Sequence, residues 1–546
     1  MAAPHGIRRR WSALLLPVVL LLTAAAPGPR PAHEAPLPER PVVDTDRGQV
    51  RGRTHGAFDT YEGIPYAAAP TGPRRWRLPE PAPRWEGVRD AGAPGEHCVQ
   101  LPALGPGGPT GSEDCLFLNV TAPAGRAAAG APRPVMVWFH GGGFFSGASD
   151  PYRPEPLATR GDAVVVTVNY RLGVFGLFGH PELGGAPDFS LADQQAALRW
   201  VRANAKRFGA DPRNVTVFGE SAGALSVCAH LTSPASAGLF HKAIVQSGSC
   251  STTMPPRSLL PYLGTYEPFV PERRTVAEGA LAAARLGCDR PGQVLDCLRR
   301  LDVRTLVTPE LMQGFSYVSY GNGMLPVEPR RALEAGRFHR VPVVQGTTQD
   351  EVRLFLAQTL AQYPIGDAAA YRARMEQSFN APTARAVEAA YPLSAHPTPA
   401  VAWATLLTDA SFVCPTLRDG RALARHVPTF GYRFSDRDAP NFTGLPEAPG
   451  LPFGAAHGFE LPSLFTMAPL TDPQQELSDR MTGYWTAFAR TGVPAAAGAP
   501  DWPRSGASGP VLSLAPGAGG IRTVDARAEH HCALWDARWP ALTTPR

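Results

Sequence analysis

The sequence predicts an α/β protein with a mostly parallel central sheet, helices on both faces of that sheet, and helical insertions. Three observations predict this class. Short apolar runs of buried-strand length alternate with segments of helical periodicity, which is the pattern of a parallel sheet. One of these runs leads through a five-residue turn of small residues directly into a helix. Hydrophobic residues make up 44% and charged residues 18% of the 546 positions, as in a globular protein with a sizeable core.

The apolar runs give the strands in chain order. Two early segments, 49–52 and 58–66, alternate in polarity as an antiparallel hairpin does. Later runs are almost continuously apolar, as expected for strands that are buried on both faces. These predicted strands are 116–120, 135–139, 163–170, 215–218, 243–246, 341–345 and 430–434.

Segments of helical periodicity lie between and after the strands. In 191–208, apolar residues recur on one helical face. We expect Ser190 to cap this helix, with Asp193 three residues later as in a capping box, and Gly209 to end it. Further predicted helical regions are 222–230, 259–304 (mostly helical, interrupted by prolines), 367–425 and 477–490.

The turn between strand and helix is Gly219-Glu-Ser-Ala-Gly223, a G-x-S-x-G sequence. The string alone is a weak signal, because glycine is common in this chain. Its place between a buried strand and a helix is that of the nucleophile elbow of the α/β-hydrolase fold, where the turn exposes the serine hydroxyl above the sheet. The sequence therefore predicts this fold, with Ser221 as the nucleophile.

A glycine-rich segment, His140-Gly-Gly-Gly143, follows an earlier strand and precedes the serine, in the order that this fold requires. Glycines let a loop direct several backbone N–H groups toward one point. We expect the N–H groups of Gly142, Gly143 and Ala222 to form an oxyanion hole. The alternative, a flexible glycine turn, fits the context less well.

The triad acid should follow a late strand, and the base should come after the acid. Asp350 and Glu351 both satisfy the first condition, and periodicity cannot choose between them. His457 is the favoured base because small residues surround it and permit close approach to a reaction centre. The histidines beyond the acid are His396, His426, His457, His530 and His531.

Several long stretches together resemble the type-B carboxylesterases, the α/β-hydrolases that include cholinesterases, liver-type carboxylesterases and bacterial para-nitrobenzyl esterases. The resemblance extends over nearly the whole of 41–535. It implies that Ser221 is the nucleophile, Glu351 the acid and His457 the base. The oxyanion donors fall on Gly142, Gly143 and Ala222. The matching stretches are 61–67, 112–120, 137–144, 168–173, 218–223, 346–351, 456–458 and 484–485.

Two departures from the family pattern are informative. The loop from Cys98 to Cys115 has no tryptophan, whereas cholinesterases bind the choline cation with a tryptophan there, so a choline-ester specialist is not expected. Family members usually have N-x-G-L-x-D-Q before the long helix, but here the segment begins with Asp188 and reads DFSLADQ. This change alters a local turn and removes no catalytic group.

The resemblance implies a serine esterase that cleaves carboxylic esters through an acyl-enzyme intermediate. The same triad would also serve a lipase, an amidase, a carbamate hydrolase or a polyesterase, and the fold has non-catalytic adhesion relatives. We expect a small-molecule ester as substrate and no cofactor. Phe144, Phe145 and the segment 315–320 are candidates for the substrate pocket, or else belong to the core.

The eight cysteines predict disulfides rather than a metal site. Cys98 and Cys115 bracket a loop rich in glycine and proline, a spacing that favours a bridge. By resemblance the pairs are Cys98–Cys115, Cys288–Cys297 and Cys414–Cys532. The sequence leaves open whether Cys228 and Cys250 form a fourth bridge or remain as buried thiols.

The N-terminus has the features of a secretory signal. Arg8, Arg9 and Arg10 precede a short apolar run at 13–22, and small residues suited to cleavage follow. We predict a signal peptide over 1–26, a flexible lead-in over 27–41, a single domain over 42–540, and a secreted protein without a membrane anchor. The three arginines account for three of the five net positive charges, so no nucleic-acid partner is expected. The sequence does not give the oligomeric state.

Overall fold

The central feature is a twisted sheet of eleven strands, seen in a computed structural model that describes residues 41–102, 107–125, 132–506 and 509–543. The predicted signal peptide, and the lead-in up to residue 40, lie outside the described residues. The strands are β1 Val42–Asp44, β2 Gln49–Arg51, β3 Arg53–Thr54, β4 Phe58–Pro65, β5 Val88–Asp90, β6 Phe117–Pro123, β7 Arg133–Phe139, β8 Val164–Val168, β9 Ala210–Glu220, β10 Lys242–Gln246, β11 Phe269–Pro271, β12 Val318–Tyr320, β13 Val343–Thr348, β14 Thr429–Phe434, β15 Val511–Leu514 and β16 Arg522–Val524.

The strand order of the large sheet is β16-β15-β14-β13-β10-β9-β7-β8-β6-β4-β3. The seven consecutive strands β15-β14-β13-β10-β9-β7-β8 of this order pair with one another in parallel. Antiparallel pairs are confined to the two edges, at β3-β4-β6-β8 and at β15-β16. The predicted fold class, a mostly parallel sheet with helices, is confirmed. Strands β9 and β10 lie near the middle of the sheet, so the elbow that follows β9 occupies its centre.

The helices lie on both faces of this sheet and in the connections. They are α1 Glu155–Thr159, α2 Gly173–Leu177, α3 Phe189–Asn204, α4 Ala222–Thr232, α5 Glu272–Arg285, α6 Val294–Arg300, α7 Val303–Leu306, α8 Pro309–Gly314, α9 Pro329–Glu334, α10 Val352–Thr359, α11 Ala368–Ser378, α12 Ala381–Ala390, α13 Pro399–Thr408, α14 Cys414–Ala424, α15 Asp472–Thr491, α16 Ala526–Glu529 and α17 Cys532–Thr543.

The prediction that Ser190 caps α3 was wrong. The helix begins at Phe189, two residues before the predicted start, and Asp188 is its N-cap, with a left-handed φ of 51°. Ser190 lies inside the first turn, where its hydroxyl donates to the carbonyl oxygen of Arg171 at 2.5 Å. Asp193 forms a buried ion pair with Arg171 at 2.7 Å instead of reaching back to a cap. A partner distant in sequence therefore replaces the local capping interaction.

The region 259–304 is less helical than predicted. Residues 259–268 are irregular, β11 follows, and the first helix of the region begins only at Glu272. Prolines at 261 and 268 are consistent with the late start, because proline disfavours a helical conformation in the residue before it.

Helices α13 and α14 are joined by a π-helical turn, Asp409–Val413, into one continuous helix. In the described part of the chain this is the one helix long and apolar enough to cross a membrane by length and composition. However, 89% of its apolar window is buried inside the protein. Its apolar side chains therefore form core packing.

Each central strand is buried on both faces. In β7, Val137 and Phe139 belong to one apolar cluster, whereas Met136 and Trp138 belong to a second cluster on the opposite face. In β9, Val217 belongs to the first cluster and Phe218 to the second. Both faces of the central sheet are therefore inaccessible to water. Polar side chains that can react with a substrate are expected at the ends of the strands.

All eight cysteines are paired in the structure. Three bridges join the pairs that the resemblance implied, Cys98–Cys115, Cys288–Cys297 and Cys414–Cys532. The question left open by the sequence is answered by a fourth bridge between Cys228 and Cys250. This bridge ties α4 to the segment after β10, both of which border the elbow.

Candidate active site

Ser221 is the single residue between the end of β9 and the start of α4, so the backbone must turn sharply at this residue. Its φ of 55° and ψ of −121° lie in a region that side-chain-bearing residues rarely adopt. The flanking glycines are required sterically: a Cβ at Gly223 would lie 1.9 Å from the carbonyl oxygen of Phe139. Ser221 is thereby held partly exposed at the carboxyl ends of the central strands.

His457 and Glu351 meet at this edge although 106 positions separate them in the chain. His457 Nδ1 lies 2.6 Å from Glu351 Oε2, and Glu351 is completely buried. The second oxygen of Glu351 accepts a hydrogen bond from the N–H of Thr348 at 2.9 Å. A carboxylate facing Nδ1 requires the proton on that nitrogen, which leaves Nε2 as the basic atom.

Asp350, the alternative acid, faces away from the imidazole. Its carboxylate forms ion pairs with Arg353 at 2.7 Å and with Arg437 at 2.9 Å, and it also accepts from the N–H of Ala455. Of the other histidines considered as base, His530 is paired with Asp409 at 2.6 Å.

The basic nitrogen of His457 has a neighbour that sequence reasoning missed. Glu220 Oε1 lies 3.0 Å from His457 Nε2, at ion-pair distance but without the alignment of a hydrogen bond. Among the described residues, Ser221 makes no hydrogen bond to the imidazole. The available signal was position, because Glu220 directly precedes Ser221 and therefore lies at the same strand end.

The carboxylates of Glu220 and Glu351 flank the imidazole on its two nitrogens and oppose the effect of burial on its charge. Burial lowers the pKa of His457, whereas the negative charges of Glu220 and Glu351 raise it. Together the two charges outweigh burial, so the pKa lies well above its usual value. Burial, together with the same two carboxylates, raises the pKa of Glu460 to about 8. The two carboxylates that face His457 therefore also disfavour a negative charge on Glu460.

Aromatic rings pack against the imidazole. The ring centroids of Phe355 and Phe412 lie 4.7 Å and 5.4 Å from that of His457. Phe412 belongs to the π-helical turn. Of the aromatic residues considered for the substrate pocket, Phe144 and Phe315 are buried in the core, whereas Phe145 is only partly buried.

The glycine-rich segment lies beside Ser221. A Cβ at Gly141 would be 3.2 Å from the Cβ of Ser221. Gly142 and Gly143 have positive φ values of 98° and 61°. In the described part of the chain the N–H groups of Gly142, Gly143 and Ala222 donate no hydrogen bond. Three unpaired donors beside a serine hydroxyl can stabilise an oxyanion.

Comparison with known proteins places this arrangement in a family. Residues 39–535 match the model of the carboxylesterase family. The chain is 35% identical over 487 residues to a para-nitrobenzyl esterase of Bacillus subtilis (strain 168), covering 85% of this chain and 92% of that protein. It is 34% identical over 497 residues to a cocaine esterase of Oryctolagus cuniculus, covering 85% of this chain and 90% of that protein.

Solved structures agree with the sequence comparison. A thermophilic PNB esterase superposes with a TM-score of 0.73 at 30% identity, covering 90% of this chain and 99% of the other. A second PNB esterase gives a TM-score of 0.70 at 31% identity with the same coverage. The resemblance stated from the motifs is thereby confirmed. The chain belongs to the carboxylesterase family and is a serine hydrolase of carboxylic esters.

Proposed function

We propose that this enzyme cleaves small carboxylic esters through a Ser221–His457–Glu351 triad. The observation that carries the proposal is the 2.6 Å contact between Glu351 Oε2 and His457 Nδ1 beside the serine elbow. The neutral form of His457, with its proton on Nδ1, takes the hydroxyl proton on Nε2 as Ser221 Oγ attacks the ester carbonyl. The alcohol leaves with that proton, and water repeats the sequence on the acyl-enzyme.

The negative oxygen of each tetrahedral intermediate binds the N–H groups of Gly142, Gly143 and Ala222. Loss of one such donor typically reduces turnover by a factor of about 10² to 10³. Glu351 holds the imidazole tautomer and stabilises the imidazolium form.

The test is hydrolysis of para-nitrophenyl esters, from acetate to palmitate, by the wild-type enzyme and by Ser221→Ala. We expect activity on short chains and a fall of about 10⁶ in turnover for the variant. Ser233→Ala is the control, because Ser233 is a buried serine at the opposite end of the helix that follows Ser221. Near-normal activity of Ser221→Ala would overturn the nucleophile assignment.

The acid is tested by a pair of adjacent carboxylates. Glu351→Gln should reduce kcat by about 10⁴, because the amide favours the wrong imidazole tautomer. Asp350→Asn changes a neighbouring carboxylate that binds arginines, and it should reduce kcat far less. Equal losses in the two variants would contradict the assignment of Glu351.

We also propose that the enzyme is exported, with a signal peptide over 1–26, a lead-in over 27–41 and the catalytic domain over 42–540. Four disulfides support an oxidising compartment. N-terminal sequencing of the protein from culture medium should begin near residue 26. Recovery of the intact N-terminus from the cytoplasm would refute export.

A further inference from the structure

Within the described part of the loop closed by the Cys98–Cys115 bridge, the buried side chain of Gln100 contacts Gly147, four residues after the glycine-rich segment 140–143. Its Oε1 accepts the N–H of Gly147 at 2.8 Å, and its Nε2 donates to the carbonyl oxygen of Gly147 at 3.0 Å. The same Nε2 donates to the carbonyl oxygen of Cys98 at 2.9 Å. Gln100 is only 8% exposed, so water competes little for these bonds.

Because both backbone groups of Gly147 are bonded to Gln100, the peptide planes before and after this residue are both fixed. The plane before it contains the carbonyl oxygen of Ser146. That oxygen lies against Gly142: a Cβ at Gly142 would be 2.2 Å from it. The N–H of Ser146 also donates to the carbonyl oxygen of Gly142 at 3.0 Å. Gln100 therefore fixes the peptide between Ser146 and Gly147, whose carbonyl oxygen packs against Gly142.

The other side of Gly147 lies against the start of the glycine-rich segment. A Cβ at Gly147 would be 2.4 Å from Nδ1 of His140 and 2.6 Å from the carbonyl oxygen of Gly141. The φ of Gly147 is 112°, a conformation that favours glycine. Rotation of either peptide plane at Gly147 would thus disturb the backbone leading into Gly142 and Gly143.

Gln100 is itself fixed from the opposite side. Its backbone N–H and carbonyl exchange hydrogen bonds with Thr110, both at 3.0 Å. Cys98, two residues earlier, is bridged to Cys115. The side chain therefore extends from a covalently closed loop.

We propose that Gln100 is a positioning residue for the oxyanion hole, acting through the peptides of Gly147. This inference rests on the proposed function. The role is distinct from substrate binding, because Gln100 touches backbone and not the reacting atoms. Its loss should weaken stabilisation of the tetrahedral intermediate and leave binding of the uncharged ester largely unchanged.

The test uses Gln100→Met, which keeps the side-chain length and removes both hydrogen-bonding atoms. On para-nitrophenyl butyrate we expect kcat to fall about 10- to 100-fold with KM nearly unchanged. A trifluoromethyl ketone should bind more weakly by the same factor. In that adduct Ser221 Oγ bonds to the ketone carbon, the carbonyl electron pair becomes the oxyanion, and His457 takes the serine proton.

Two controls separate positioning from stability. Gln195→Met also removes a buried carboxamide, one bonded to Ser233 and Ser236, and it should keep kcat. The pH midpoint of kcat/KM should be the same in Gln100→Met and wild type, because His457 is not affected. A kcat within about twofold of wild type, an effect on KM alone, or a displaced midpoint would overturn the proposal.

If Gln100→Met does not fold, Gln100→Glu keeps an acceptor for the N–H of Gly147 and is measured in the same way. Failure of both variants to fold would make Gln100 a structural residue and would also overturn the proposal. The proposed function is judged separately, by Ser221-dependent hydrolysis in the wild type. An inactive wild type would defeat that function, whereas an active wild type with unaffected Gln100 variants would defeat only this inference.

Discussion

Replacement of Asp188 by Asn should remove a pH-dependent loss of stability. Asp188 is the N-cap of α3 and is 1% exposed. Burial, with a smaller contribution from Glu272, raises the pKa of its carboxyl group from 3.8 to about 7. The N–H of Ser319 and the side chain of Asn322 donate to it and oppose that rise. Asparagine tolerates the left-handed backbone as well as aspartate does.

The magnitude follows from the pKa difference. Between pH 3.8 and pH 7 the folded protein holds a proton on Asp188 that the unfolded chain has lost, so stability falls as the pH rises. At about 1.4 kcal/mol per pH unit, the loss between pH 5 and pH 8 is about 2.5 kcal/mol. Asparagine has one acceptor oxygen where the carboxylate uses two, and this costs about 1–3 kcal/mol at every pH.

The assay is urea unfolding of Asp188→Asn and wild type at pH 5 and pH 8, with disulfides intact. We expect the variant to be less stable than wild type at pH 5, and this deficit to shrink by about 2.5 kcal/mol at pH 8. Asp419 and Glu460 also have raised pKa values, so only the difference between the two proteins isolates Asp188. If that difference is the same at both pH values, Asp188 is ionised in the folded protein at pH 5 and the reasoning is refuted.

Three further predictions concern the site and the bridges. Glu220→Gln should lower the pKa of His457, because it removes a negative charge that stabilises the imidazolium. The acid limb of kcat/KM should then move to lower pH, and an unmoved limb would show that Glu220 does not act on the base. Gly142→Ala should reduce kcat by at least about 10², since the added Cβ meets backbone at 2.2 Å. Gly264→Ala adds a Cβ in open space and should not reduce kcat. Equal losses in the two variants would show that the loss in Gly142→Ala does not come from the glycine-rich segment. Alkylation in denaturant without reductant should label none of the eight cysteines, and two labelled thiols would exclude the Cys228–Cys250 bridge.

The sequence predicted what local patterns encode. The strand and helix around Ser221 were recognisable because apolar periodicity and small residues directly determine a strand–turn–helix. The predicted strand at 341–345 became β13, shifted by two to three residues. The fold class followed from the alternation of such elements.

Other features depend on contacts between distant segments, which one sequence does not display. The choice between Asp350 and Glu351 is made by which carboxylate reaches His457, 106 positions away. The predicted cap at Ser190 was wrong because the hydroxyl of Ser190 donates instead to the carbonyl oxygen of Arg171, in the loop after β8. Glu220 was missed because its effect depends on the position of the His457 imidazole, which lies next to its carboxylate only in the folded chain.

The Cys414–Cys532 bridge closes a loop of the chain that contains His457, while Ser221 and Glu351 lie outside it. A protease that cut the exposed stretch around 446–450 would divide the proposed triad between two polypeptides, with His457 on the shorter one. The bridge would still join them, so the nicked enzyme remains one covalent molecule with every reacting group retained. Only reduction would release the fragment that carries the base.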